Sequence, residues 1–313
     1  MTKEIKDCII EAARIYMAEK GISQNELQSR SGVSYLSSMM NGVYTYKNSR
    51  SGDIGNIADK WFQQLADHVG YKITKDYWPT TLTSQFKTIV AELKGAKTDA
   101  RVRMIIGETG CGKSYSIDRF RQNNPKGTYV ITCSGQSSAT SLIRRIMQSL
   151  RIDSKGDNDY LLDRISVELR NQQLAGYEPI LILDEAENLR LRTFQAIKTI
   201  YDYLKGYCGI VLIGTDQLLD TLERLCRKNE KGIPQFYSRF KSGERRLRPI
   251  DRTYAEFLSS LVLEPGLKAL LQSICMDYRT LADYMEPALR KADEKGVLLT
   301  EEFFRIIHDL PKA

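Results

Sequence analysis

Gly107-Glu-Thr-Gly-Cys-Gly-Lys-Ser114 fits G-x-x-x-x-G-K-[ST] at every fixed position. The apolar run Val102-Arg-Met-Ile-Ile106 stands before it, and Lys113 to about Arg121 reads as a helix after it. In a strand–turn–helix setting the glycines let backbone N–H groups turn inward around phosphate oxygens, at a helix N-terminus whose peptide dipoles also favour an anion. The reading assigns Gly107, Glu108, Thr109, Gly110, Cys111, Gly112, Lys113 and Ser114 to a phosphate-binding loop. Lys113 is then placed to reach β/γ-phosphates and the Ser114 hydroxyl to ligate Mg2+, so ATP and Mg2+ are the expected ligands. Cys111 sits at a variable position and reads as a small filler.

Outward from this stretch the chain alternates strand and helix. Tyr129-Val-Ile-Thr-Cys133 reads as a second strand, followed by a polar loop and a helix over Ala139–Leu150. Ile180-Leu-Ile-Leu183 reads as a third and Gly209-Ile-Val-Leu-Ile213 as a fourth. Continuous apolar runs separated by helices are what a parallel sheet buried on both faces requires, so the expected class is α/β. From 254 onward the pattern is helical only. The third strand ends in Asp184-Glu185, a carboxylate pair of the Walker B kind. Asp184 is placed to hold Mg2+, and Glu185 to orient and deprotonate an attacking water. The fourth strand ends in Gly214-Thr215. Thr215 faces a γ-phosphate if its strand lies between the other two motifs in the sheet; otherwise it is a turn threonine.

Residues 1–75 read as short helices with no strand pattern. Asp7 to Lys20 has apolar residues at helical spacing and stops at Gly21. Ser23-Gln-Asn-Glu26 has the form of a capping box, Ser31-Gly32 stops that helix, and Ser34 reads as the N-cap of a second helix, Tyr35 to Met40. Together they have the helix-turn-helix arrangement. A further helix is expected over Ile54–Val69, and Tyr71 to Thr83, with Trp78-Pro79, reads as a linker. The second helix is polar and aromatic rather than basic. Ser37 and Ser38 offer hydroxyls to phosphates, and Tyr44, Tyr46, Lys47 and Arg50 follow, so DNA contact and protein contact both stay open.

Composition narrows the functional class. The 313 residues are 42% hydrophobic and 27% charged, an ordinary globular balance with room for about two domains. No long apolar run marks a membrane span and no apolar segment marks a signal peptide, so a soluble, cytoplasmic protein is expected. Six scattered cysteines with no C-x-x-C pair point to free thiols. Two histidines, His68 and His308, make a histidine zinc site or a Ser-His-Asp triad improbable. The net charge of +7 is uneven: residues 219–252 hold 10 Lys/Arg against 5 Asp/Glu. Such a cluster suits an anionic partner or a solvated face.

Phosphate loop, Asp-Glu pair, Gly-Thr strand end and trailing helices together resemble an AAA+ P-loop ATPase with a C-terminal helical lid. With the N-terminal helices, the order of parts resembles the MuB-like transposition target-selection ATPases and their TnsC, TniB and IstB relatives. It extends to Asp184-Glu-Ala-Glu-Asn-Leu189 and to Phe236-Tyr-Ser-Arg-Phe240. The resemblance implies three parts: a helix-turn-helix domain at 1–75, an ATPase core at 84–252 and a lid at 253–313. It implies an ATPase, DNA-stimulated, that assembles as a homo-oligomeric filament or ring on double-stranded DNA with little sequence preference and directs a DDE transposase to it. Arg239 is the implied arginine finger toward a neighbouring subunit, with Arg245, Arg246 and Arg248 as alternatives, and Arg279 the implied nucleotide sensor of the lid. Arg144, Arg145, Lys155, Arg190, Arg192 and Lys198 lie on elements that face DNA in such ATPases. The loop after the second strand departs from the pattern, with no basic residue before Arg144. A helicase-loader-type ATPase and an ATP-switched DNA-binding regulator are the competing readings.

Overall fold

Strand β3, Val102–Ile106, sits inside a five-stranded parallel sheet, with Met104, Ile105 and Ile106 burying apolar side chains on both of its faces. In this computed structural model, which describes residues 1–47, 52–71, 77–135 and 138–311, the chain divides into two units, Met1–Asp76 and Tyr77–Ala313.

The first unit packs helices α1 (Lys3–Lys20), α2 (Gln24–Ser31), α3 (Leu36–Met40) and α4 (Asp59–Val69) around Ile9, Leu27, Leu36, Met39, Phe62 and Leu65. Gly21 and Gly32 end α1 and α2 in the left-handed conformation. Three expectations are corrected here. A small antiparallel hairpin, β1 (Thr45–Lys47) and β2 (Ile54–Asn56), stands where no strand was expected, so α4 begins at Asp59 and not at Ile54. Its three-residue strands are mostly exposed and offer no alternating apolar pattern to read. Ser34 does not cap α3: Tyr35 holds that position with φ 65° and no side-chain cap, and its ring stacks on Tyr46 of the hairpin at 5.1 Å. The box at Ser23 closes on one side only. Ser23 Oγ accepts from the Glu26 N–H at 3.3 Å, while the Glu26 carboxylate turns to Arg30. Arg50 lies outside the described residues, as do 72–76 of the expected linker.

The second unit begins with α5 (Ser84–Asp99), followed by β3, α6 (Lys113–Asn123), β4 (Thr128–Thr132), α7 (Ala139–Leu150), α8 (Asn158–Leu174) and β5 (Ile180–Asp184). A 3-10 turn at Ala186–Asn188 leads to α9 (Leu191–Leu204), β6 (Gly209–Gly214), α10 (Asp216–Arg227), α11 (Ile233–Lys241) and β7 (Glu244–Arg246). Helices α12 (Ala255–Leu258), α13 (Pro265–Ile274), α14 (Tyr278–Lys295) and α15 (Glu301–Ile307) complete it. The strand order is β4-β5-β6-β3-β7, all parallel. Alternate residues face opposite layers. Met104, Leu181, Leu183, Ile210 and Leu212 join α7, α8, α9 and α11 in one core. Ile105, Ile180, Ile182, Val211 and Ile213 join α5, α6 and the C-terminal helices in the other. The segment 253–313 is therefore bound into the same apolar layer as α5, through Tyr254, Leu267, Leu271, Tyr278 and Met285. Strand β7 went unread in the sequence: Glu244-Arg-Arg246 is an edge strand, and its charges face water or pair with Glu92 and Asp216.

Lys97 fixes the lower edge of the sheet. Its ammonium donates to the carbonyls of Lys126, Tyr177 and Glu178 at 2.9, 3.2 and 2.7 Å, just ahead of β4 and β5. Burial lowers its pKa.

Candidate functional site

The loop between β3 and α6 carries left-handed glycines at Gly110 (φ 75°) and Gly112 (φ 88°). These angles curl the backbone so that successive N–H groups face one concavity, the geometry that receives an anion. The Gly107 N–H donates to Gly214 O at 3.0 Å and ties the loop to the end of β6. Cys111 is buried beneath the loop, and that burial raises its pKa. Glu108 faces outward, and its carboxylate accepts from the Ile250 N–H at 3.4 Å; Thr109 is exposed beside it. The Lys113 ammonium folds over the loop, donating to the carbonyls of Gly107 and Glu108 at 2.9 and 2.7 Å.

The sheet brings the distant carboxylates to this loop. Ser114 Oγ donates to Asp184 Oδ2 at 2.7 Å, although 70 residues separate them. Asp184 is 5% exposed, and its other oxygen accepts from the Glu185 N–H at 2.9 Å. Glu185 stands at φ 55° at the strand end with its carboxylate exposed. Asn188 Nδ2 lies 3.3 Å from Glu185 Oε2 and 3.3 Å from Cys133 O, so the 3-10 turn holds the glutamate against the end of β4. The Cys133 thiol is pushed up to about 12 by its burial and by the Asp184 carboxylate.

Strand β6 lies between β5 and β3, which puts Thr215 between the carboxylates and the phosphate loop. Thr215 Oγ1 is sealed from solvent and has no hydrogen-bond partner. Glu187 Oε2 is likewise buried and unpartnered, close against Gly214, where an added Cβ would stand 2.6 Å from it. A buried polar atom left unsatisfied costs about 1–3 kcal/mol, so such atoms mark places where a ligand or water belongs.

The C-terminal helices reach the same site. Asp277 caps α14, accepting from the Thr280 N–H and Oγ1 at 2.7 and 2.8 Å. Its carboxylate lies against Gly110, where an added Cβ would stand 2.1 Å from Oδ2. Arg279, two residues on, is exposed and makes no ion pair with a described residue.

Other candidates lie apart. Arg239 pairs with Asp202 and lies over the Tyr201 ring at 5.1 Å, beside Val102 at the start of β3. The phosphate loop follows the other end of that strand, roughly 15 Å along the sheet. Arg239 therefore does not serve its own phosphate loop. Lys198 joins the same carboxylate, Asp202, at 2.8 Å. Arg144 is exposed on α7, and Arg145 donates to Thr132 O at 2.9 Å at the end of β4. Lys155 is exposed between α7 and α8, and Arg190 and Arg192 are exposed at the start of α9. Gln136 and Ser137 of the loop after β4 lie outside the described residues. Within 219–252, Arg239, Arg245 and Arg246 are held by acidic partners. Sequence reading gave no role to Asn188, Glu187 or Asp277. The one local signal was Asp277-x-x-Thr280, which has the form of a helix cap.

A family model described as the AAA domain matches residues 96–222. No curated protein sequence matches the chain. Among solved structures, the Aeropyrum pernix ORC2 protein in its ADPNP–ADP complexes superposes with a TM-score of 0.54 at 17% identity, over 75% of this chain and 70% of that one. CDC6P from Pyrobaculum aerophilum gives 0.54 at 17% identity, over 75% and 69%. The Aeropyrum pernix ORC1 protein in complex with DNA gives 0.51 at 16% identity, over 75% and 67%. The fold is that of an AAA+ P-loop ATPase. Among the described residues no helix is long and apolar enough to cross a membrane.

Proposed function

We propose that this chain, an AAA+ P-loop ATPase by fold, hydrolyses ATP, binds double-stranded DNA in its ATP-bound assembled form, and directs a DDE transposase to that DNA. The observation that carries the ATPase reading is the 2.7 Å contact of Ser114 with Asp184 under a phosphate loop. That pair presents a hydroxyl and a carboxylate oxygen side by side, which is what an Mg2+ ion takes, through its waters or directly. The bound Mg2+ would supply neutralising charge along the phosphate chain. The loop N–H groups and Lys113 hold the phosphates, Lys113 exchanging two neutral carbonyl acceptors for charged phosphate oxygens. Glu185, held by Asn188, takes the proton of the attacking water. Thr215 offers its unpartnered hydroxyl to the terminal phosphate, and Arg279 senses nucleotide from the lid.

Arg239 acts as an arginine finger on the nucleotide of a second copy. The support is its distance from its own phosphate loop. Mixing tests it. Arg239→Ala protein, inactive alone, regains ATPase activity with Lys113→Ala protein, because some interfaces then pair an intact loop with an intact finger. Activity that no such partner restores would place Arg239 in its own subunit.

For DNA, the support is the exposed Arg144, Arg190 and Arg192 around the nucleotide end of the sheet, the basic balance of the chain, and the likeness to a structure solved with DNA. The transposase is supported by the order of motifs alone. The α2–turn–α3 unit is proposed as an accessory helix-turn-helix contact. Electron micrographs with long non-specific DNA decide the assembly: filaments with ATP and none with Lys113→Ala are expected. Filaments of the variant with undiminished ATP dependence refute the reading. The likeness to ORC and CDC6 structures favours a second reading, a helicase-loader-type ATPase, which a stable complex with a hexameric helicase would establish.

A further inference from the structure

Helix α8 turns Leu161, Leu162, Ile165 and Leu169 into the core. Its opposite face carries a second apolar line. Tyr160, Val167 and Leu174 stand seven residues apart and are 54%, 51% and 79% exposed. That spacing is close to two helical turns, so the three side chains form one stripe along the outer surface. Polar and charged residues flank it. At about 100° per residue, Asp163 and Arg170 fall on one side of the stripe, and Arg164 and Asn171 on the other. Asp163 is exposed and makes no ion pair or hydrogen bond with a described residue. Arg164 donates to Asp153 O at 2.8 Å. Arg170 gives Nε and Nη2 to the Tyr203 carbonyl, with its guanidinium 5.0 Å over the Tyr207 ring, and makes no ion pair with a described residue. A guanidinium has further N–H groups on Nη1, which are left for a carboxylate. Tyr203 and Tyr207 are themselves exposed and widen the patch on that flank.

We infer that this face is a self-association surface: two copies of the chain pair through α8, antiparallel, about a two-fold axis at Val167. The order of charges selects a second copy over other partners. Along one flank the sign runs from negative at Asp163 to positive at Arg170, so a uniformly acidic helix is repelled at one end and a basic one at the other. A fitting partner carries the same two charges in reversed order, and the same helix turned end for end does so. A two-fold axis perpendicular to both helices lays each flank against its own copy with the direction reversed. Tyr160 then meets the partner's Leu174, and Val167 meets the partner's Val167. Asp163 meets the partner's Arg170, and Arg170 the partner's Asp163. Arg164 meets the partner's Asn171, so no like charges are opposed. The contact is isologous and closes on two copies, unlike the head-to-tail contact of a finger on a neighbour's nucleotide. The stripe is about 21 Å long and one helix (about 10 Å) wide, smaller than the ~800 Å2 per partner of a standard interface, so the dimer is weak, with Kd in the micromolar range.

The measurement is sedimentation velocity of the full chain, without nucleotide or DNA, from low to high micromolar concentration. The unaltered protein shifts from monomer to dimer. Val167→Glu sets two carboxylates on the two-fold axis and stays monomeric; its thermal melt at dilute concentration is unchanged, because the side chain is exposed. Asp163→Arg and Arg170→Asp each turn two attractive pairs into two repulsive ones and weaken self-association roughly ten-fold or more. Mixed together, these two variants form a heterodimer near the affinity of the unaltered protein, since every cross pair is then of opposite sign. Restoration on mixing requires antiparallel pairing through this flank. An unaltered chain that stays monomeric throughout overturns the inference. So does a dimer that survives Val167→Glu, or a pair of charge-reversed variants that mixing does not restore. A monomeric chain whose affinity for DNA falls on Val167→Glu assigns the stripe to a nucleic acid and overturns it as well. ATP hydrolysis is not the readout, so failure here leaves the ATPase reading standing.

Discussion

Replacing Gly110 with alanine tests whether the C-terminal helices rest on the phosphate loop. Two costs are separable. Gly110 has φ 75° and Gly112 has φ 88°, so alanine at either pays the left-handed penalty of about 1–2 kcal/mol. At Gly112 the added Cβ meets nothing within 4 Å. At Gly110 it would stand 2.1, 2.2 and 2.5 Å from Oδ2, Cγ and Cβ of Asp277. Asp277 cannot swing aside, because its other oxygen takes two hydrogen bonds from Thr280. The loop or the start of α14 must move, an overpacking cost of about 1–3 kcal/mol beyond the shared penalty. Thermal melts without nucleotide should place Gly110→Ala below Gly112→Ala by roughly 2–12 °C, at about 2–4 °C per kcal/mol for a unit of this size. Asp277→Gly removes all three crowded atoms and weakens the cap by only a few tenths of a kcal/mol. It should recover most of the difference when combined with Gly110→Ala. Equal melting of the two alanine variants, or no rescue by Asp277→Gly, would refute the contact.

Three further outcomes are expected. Glu185→Gln should bind ATP with unaltered affinity and hydrolyse it at least ~100-fold more slowly, measured as phosphate release, because an amide cannot take the water's proton; turnover near the wild-type rate removes Glu185 as the base. Lys97→Met should lower stability in chemical denaturation by about 2–4 kcal/mol, since three carbonyls lose a charged donor while the ammonium's desolvation cost is relieved; a change below half a kcal/mol would show the clamp to be idle. At pH 8, iodoacetamide should modify the exposed Cys8 in the native protein and spare Cys133 and Cys208, whose thiols burial pushes up to about 12 and whose protonated forms do not react. Labelling of Cys133 at the rate of Cys8 in a mass-spectrometric time course would contradict that burial.

Long apolar runs with strong punctuation were legible. Ile180–Leu183 is buried on both faces, and so is the second half of Val102–Ile106, so an unbroken or nearly unbroken apolar run announces each strand. Glu244–Arg246 and Thr45–Lys47 are edge or exposed strands, and their residues look like any polar loop. The cap at Ser34 failed for a tertiary reason, since a tyrosine in the left-handed region stacked on the hairpin takes the position that local rules give to serine. Asn188 was unreadable as a partner of Glu185, because a 3-10 turn at Ala186–Asn188 brings them together where the sequence announces no regular element.

The sequence by itself determined the phosphate loop, the Asp184-Glu185 strand end and the α/β class, because each depends on residues adjacent in the chain or on a periodicity of two or of 3.6. The tertiary structure alone decided what meets what. The order β4-β5-β6-β3-β7 brings Asp184 against Ser114 and runs the strand that ends at Thr215 between β5 and β3, and no spacing along the chain encodes that order. It also decided that Arg239 belongs to the far end of the sheet and that Asp277 belongs to the phosphate loop. The first follows from parallel crossovers, the second from the packing of the C-terminal helices on the sheet. Each strand runs the same way, so residues ending strands gather at one edge and residues preceding strands gather at the other, whatever their distance in sequence.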